Sequence, residues 1–132
     1  MRRAHSDYTG KPVLLEFWAP WRPNSIASLS RVDTYRLTYS HLVEVVAVCV
    51  FTKREKLDAF LKGSDLPVYT LHDRDGSVSN AYGIMGLPMT VLIAENGIVL
   101  QKWGGEGKAA EMERDLAAYF AEQERTRREE SG

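Results

Sequence analysis

The stretch "VLLEFWAPWRPNSIASL", residues 13–29, sets an apolar run directly before a proline-containing turn and a helix-like pattern. The run at residues 12–18 is short and rich in aliphatic and aromatic side chains, which is typical of a buried β-strand. After the turn, apolar residues recur near helical spacing, and Pro23 stands at the front, where its missing N–H costs little. The stretch therefore predicts a strand, a tight turn and a helix in immediate succession.

The rest of the chain alternates in the same way. An Asn-Gly pair at Asn96 lies between two apolar runs, and this is the strongest short signal for a β-hairpin. The other predicted elements are a buried strand at 42–51, a helix at 53–63 ending at Gly63, a strand at 66–71, a turn at 73–76, a weak helix at 78–82 and a helix from 108 to about 124.

The predicted order is β-α-β-α-β-α-β-β-α. Strands joined by helices favour parallel pairing with right-handed crossovers, and the late hairpin adds an antiparallel pair. We therefore predict an α/β protein, a three-layer α/β/α sandwich with a mixed central sheet. We expect a single domain over residues 1–132, with its core at about 11–122 and a charged tail at 123–132 that frays.

Composition excludes several functions. The 132 residues carry a formal net charge of −1, so no strong positive field favours nucleic acid. The apolar run at residues 45–51 is too short to span a bilayer. The N-terminus is basic but lacks an apolar segment, so no export signal is expected and the chain as it stands favours the cytoplasm.

Cysteine and histidine usage argues against metal and disulfide chemistry. Cys49 is the single cysteine and lies within an apolar strand, where a thiol has a raised pKa and a packing role. The histidines show no ligand spacing, so we predict neither a metal site nor a cofactor.

Two separate motifs carry a resemblance to a known family. "PVLLEFWAPW" before a helix resembles the active-site strand of thioredoxins, and "AYGIMGLPMTVLIAENG" resembles their segment around a cis-proline, which falls here on Pro88. The long block at about 52–82 is similar to the TlpA/ResA branch, whose tethered domains exchange thiols and disulfides outside the cytoplasm. The resemblance therefore implies a thioredoxin-like fold over about residues 11–122. It also implies an extracytoplasmic location if an N-terminal signal or anchor has been removed.

The resemblance implies that the turn Arg22-Pro23-Asn24-Ser25 replaces the family's Cys-x-x-Cys. A guanidinium cannot attack a disulfide, and a serine hydroxyl without an activating base is a poor nucleophile. The sequence therefore favours a redox-inactive, non-enzymatic module that binds a protein or peptide of unknown identity. The alternative is a family member in redox homeostasis or thiol–disulfide exchange, using Cys49 or thiols of a partner.

Glu16 corresponds by the same resemblance to the buried acid beneath the resolving cysteine of thioredoxins. In an apolar strand its pKa should be raised unless the carboxyl is paired. Its partner would be Ser25 or a lysine such as Lys53. Alternatively, Glu16 points to the solvated side of its strand.

The expected binding groove is formed by Trp21, Arg22, Met85, Leu87 and Pro88. In the family, the residue before the cis-proline pairs its backbone with an extended segment, and Leu87 takes that role here by resemblance. Arg22 beside a helix N-terminus would bind a carboxylate or phosphate, or it has drifted at a position with no thiolate to protect.

Overall fold

The computed structural model describes residues 10–66, 69–104 and 106–131 and contains the predicted order of strands and helices. The α/β prediction is confirmed: one five-stranded mixed sheet is flanked by helices. The elements are β1 Val13–Trp18, α1 Pro23–Thr38, β2 Glu44–Cys49, α2 Arg54–Lys62, β3 Thr70–His72, α3 Ser77–Ala81, β4 Met89–Ile93, β5 Val99–Gly104, a short 3-10 turn Glu106–Lys108 and α4 Ala109–Ser131.

The sheet has the order β3-β2-β1-β4-β5, so the first strand of the chain is its central strand. β1 pairs parallel with β2 and antiparallel with β4, and the hairpin partner β5 forms one edge. The turn between β4 and β5 is closed by the Gly97 N–H, which donates to the Ala94 carbonyl at 2.8 Å, and Gly97 itself has a φ of 91°. β1, buried along its whole length, places the turn after it above the middle of the sheet.

Alternation along β1 divides the core between the two faces of the sheet. Val13, Leu15 and Phe17 face a cluster that includes residues of the segment after α3. The intervening residues face α1, α2 and α4, and Trp18 packs there in a second cluster. Glu16 lies on this second face between two apolar neighbours, and this position explains its burial.

The C-terminal helix is longer than predicted. α4 continues to Ser131, whereas the charged tail was expected to fray from residue 123. Ion pairs at helical spacing join Arg125 to Glu129 and Arg128 to Glu124, and such pairs support an exposed helix. The predicted helix end at about residue 124 is therefore too early, whereas fraying of the charged tail stays a prediction.

Two other predictions fall partly outside the described residues. The strand expected at 66–71 is found as Thr70–His72, and residues 67–68 are not among those described. The N-terminal segment in which no export signal was expected, residues 1–9, also lies outside them. Among the helices that the structure describes, none is both long and apolar enough to cross a membrane.

Candidate functional site

The turn between β1 and α1 is closed by backbone hydrogen bonds. The Arg22 N–H donates to the Ala19 carbonyl at 3.1 Å, and the Ser25 N–H donates to the Arg22 carbonyl at 3.0 Å. Arg22 is the N-cap of α1 in an extended conformation, and Pro23 opens the helix. Among the described residues, the Arg22 side chain makes no capping hydrogen bond, and the first turn of α1 contains no acidic residue. Neither the Arg22 side chain nor an acidic residue therefore compensates the positive end of the α1 dipole.

Arg22 turns its guanidinium away from the helix and onto the backbone of Leu87. Its Nε and Nη2 donate to the Leu87 carbonyl at 3.1 and 2.9 Å. The Leu87–Pro88 peptide bond is cis, and both side chains are buried. Arg22 and Leu87, two of the predicted groove residues, are thus brought together by this contact, which occupies the carbonyl expected to pair with a partner.

Exposed apolar side chains lie next to Arg22 in the chain, two residues before Leu87, and just after β2. Trp21 is 56% exposed, Met85 is 92% exposed and Phe51 is 50% exposed. The Trp21 indole donates to the Phe51 carbonyl at 3.0 Å, which fixes the position of Phe51 beside it. We refer to Trp21, Phe51 and Met85 as the Trp21 surface.

Phe51 was not predicted as a site residue. Its φ of 53° places it in the left-handed region, which is rare for a bulky side chain and costs about 1–3 kcal/mol. Nothing in the local sequence signals this conformation, because it arises where β2 ends and its chain turns toward α2. The bond from Trp21 is one contact that holds it.

Glu16 is fully buried and hydrogen-bonded by two hydroxyls. Ser28 on α1 donates to Oε2, and Thr90 on β4 donates to Oε1. Burial raises the pKa of the Glu16 carboxyl from its ordinary 4.5 to about 7, while the two hydroxyls and the charge of Arg31 oppose that rise. The carboxyl therefore exchanges its proton near neutral pH.

The partners of Glu16 differ from those expected from the sequence. Ser25 is buried, but its hydroxyl has no hydrogen-bond partner among the described residues. Lys53 is exposed at the start of α2 and forms no ion pair with Glu16 in the described chain. The alternatives of a Ser25 bond, a Lys53 pair and a solvated carboxyl are thus all wrong. Ser28 was missed although it lies one helical turn beyond Ser25, on the same face of α1.

Cys49 lies in the apolar cluster beneath α1 and α2. It is inaccessible to solvent and packs in a cluster with Trp18, Leu29 and Leu57. Burial raises the pKa of its thiol, against smaller opposing effects of Thr52 and Arg54. A thiol that is both buried and protonated is a poor nucleophile.

The sheet order, the strand–turn–helix unit and the loop before β4 together define a thioredoxin-like protein. The profile of the AhpC/TSA family matches residues 2–102, and the chain belongs to this family. Its curated relatives include thiol–disulfide oxidoreductases, so the resemblance found in the sequence is confirmed at the level of family and fold.

Three relatives illustrate the similarity. The chain is 34% identical over 112 residues to the thiol-disulfide oxidoreductase ResA of Geobacillus kaustophilus, covering 84% of this chain and 64% of the relative. It is 33% identical over 98 residues to the thiol:disulfide interchange protein DsbE of Escherichia coli K12, covering 74% and 51%. The crystal structure of the exposed lipoprotein thioredoxin Etrx1 from Streptococcus pneumoniae matches with a TM-score of 0.71 at 27% identity, covering 77% of this chain and 80% of that one. The chain thus spans about half to two thirds of the length of these curated relatives.

Proposed function

We propose that this chain is a redox-inactive thioredoxin-like module that binds an extended polypeptide segment across the Trp21 surface, beside Leu87. The observation that carries the proposal is the site itself: it exposes large apolar side chains but presents no thiol. Thiol–disulfide exchange needs an accessible thiolate and a second thiol to resolve the mixed disulfide. Buried Cys49 supplies neither, which disfavours the alternative of exchange through that residue.

The backbone of Leu87 supports binding of an extended segment. A polypeptide that adds to a sheet edge gains affinity from main-chain hydrogen bonds and specificity from side-chain contacts. The Leu87 carbonyl can accept such a bond only after the Arg22 guanidinium leaves it. An acidic side chain in the bound segment would then give the guanidinium a bidentate partner. The preferred segment is therefore extended, partly apolar and acidic.

The redox part of the proposal is tested by insulin reduction with dithiothreitol as reductant. We expect no turnover above the rate with reductant alone, because the chain has no exposed thiol to relay electrons. Cys49→Ser should give the same background rate. Turnover above background that disappears in Cys49→Ser would establish the alternative instead.

The binding part is tested by titrating a synthetic extended hexapeptide containing one glutamate and its glutamine counterpart. We expect the glutamate peptide to bind more tightly, and Trp21→Ala combined with Met85→Ala to weaken it about tenfold, since central aromatic contacts dominate such interfaces. Ile98→Ala is the matched control, because this side chain is 59% exposed in the β-hairpin on another part of the molecule. Equal weakening by Ile98→Ala, or equal affinity for the two peptides, would contradict the proposed mode.

A further inference from the structure

A pocket of about 210 Å³ lies between α1, β4, β5 and the first turn of α4. It far exceeds the ~10–15 Å³ that a single water needs. Trp103 and Met112 give it an apolar wall, while Ser28 and Thr90 give it hydroxyl groups. Both hydroxyls also donate hydrogen bonds to Glu16. The buried Glu16 carboxyl therefore lies directly behind the pocket wall.

The cations at the pocket are only partly neutralised. Arg31 lines it and forms no hydrogen bond or ion pair within the described part of the chain, although its charge acts on Glu16. Lys108 lines it as well and pairs with Glu111 at 3.4 Å, an exposed pair of little strength. The strands beside Glu16 place Ala47 and Thr90 opposite it, and neither residue carries a charge. In the described part of the chain, the charged groups around the carboxyl and the pocket include Arg31, Lys108 and Glu111, and also Asp115, whose carboxylate accepts a hydrogen bond from the Trp103 indole at 3.0 Å.

We propose that this pocket binds a small organic carboxylate, with the carboxylate group on Arg31 and the hydroxyls and the apolar body against Trp103 and Met112. A guanidinium binds a carboxylate through two parallel hydrogen bonds, and this fork geometry favours it over a simple point charge. The apolar wall adds contact area that an inorganic anion of the same charge cannot use. The mixed lining therefore selects an amphipathic acid.

Ligand binding is coupled to a proton on Glu16. When Glu16 is ionised, Ser28 and Thr90 each donate their single proton to it, and only lone pairs remain for the pocket. When Glu16 takes a proton from solvent, its own O–H donates to one of the two hydroxyls. The O–H of that hydroxyl keeps its proton and can then donate a hydrogen bond to the bound carboxylate. A neutral Glu16 also removes a negative charge behind the ligand. Binding of one carboxylate thus favours uptake of one proton.

Calorimetric titration with butyrate tests the site, and butyramide and inorganic phosphate serve as matched probes. Butyrate should bind about tenfold more tightly at about pH 6 than at about pH 8, because the Glu16 pKa of about 7 lies between them. Titrations in two buffers of different ionisation enthalpy should show proton uptake with butyrate. Absence of butyrate binding, or equal affinity for butyramide or phosphate, would overturn the proposal.

Two variants locate the binding. Arg31→Gln should weaken butyrate about tenfold or more, since it removes a charge-assisted pair, while Arg36→Gln on the same helix should leave affinity unchanged. Glu16→Gln should bind butyrate with no dependence on pH. An unchanged affinity in Arg31→Gln would overturn the site, and a pH dependence or proton uptake retained in Glu16→Gln would overturn the coupling.

Discussion

Arg22→Cys combined with Ser25→Cys should form a reversible intramolecular disulfide and reduce insulin, whereas the unmodified chain should not. The hydrogen bond from the Ser25 N–H to the Arg22 carbonyl closes a turn, which brings the two Cα atoms within about 7 Å. Disulfides span Cα separations of about 4.4–6.8 Å, so the backbone can accommodate the bond. The thiol at position 22 would lie at the N-terminus of α1, where the helix dipole stabilises a thiolate.

The measurements are a thiol count before and after mild oxidation and the insulin turnover rate. Arg22→Cys alone is the control: it adds one thiol that cannot pair with buried Cys49, so it should neither close a disulfide nor sustain turnover. Two free thiols at positions 22 and 25 after oxidation would show that the turn lacks the geometry of a thioredoxin site.

Glu16→Gln should remove a pH-dependent loss of stability of about 3 kcal/mol. A carboxyl with a pKa of about 7 in the fold and 4.5 in the unfolded chain is protonated in both states at low pH and has no effect there. Between these values only the unfolded chain loses the proton, so the free energy of unfolding falls as the pH rises. Above about pH 7 the loss is complete at about 3 kcal/mol.

Urea unfolding of both proteins at about pH 5 and about pH 8 measures this effect. The unmodified chain should lose more stability between the two conditions than Glu16→Gln, in which the amide keeps hydrogen bonds to both hydroxyls without ionising. Glu130→Gln, at an exposed acid on α4, should follow the unmodified chain. Parallel losses in the unmodified chain and Glu16→Gln would show that Glu16 ionises in the fold near its ordinary pKa.

The order of the elements could be predicted because each depends on a local pattern. The apolar run of β1, the Asn-Gly turn at Asn96 and the apolar periodicity of α4 each act over a few residues. The end of α4 could not be predicted, because an exposed ion pair such as that of Arg125 with Glu129 stabilises a helix by only a small free energy. The composition of the segment does not show whether such small contributions are enough to keep it helical.

The candidate site was predictable in position but not in its contacts. The sequence places Arg22 at the turn and Leu87 before β4. No local pattern indicates that the Arg22 guanidinium donates to the Leu87 carbonyl. Likewise Thr90 is 74 residues from Glu16, and the two meet only because β4 pairs with β1. Contacts of this kind follow from strand register, which is a property of the whole sheet.

The contact of Arg22 with Leu87 has a further consequence for the proposed partner. The guanidinium acts as a tethered competitor, and a group held by the chain itself has an effective concentration of the order of millimolar. A segment that pairs with the Leu87 carbonyl must displace it, so the apparent affinity falls by the fraction of molecules in which the carbonyl is open. Peptides without an acidic side chain for Arg22 should therefore bind with lower affinity, whatever contacts their other side chains make.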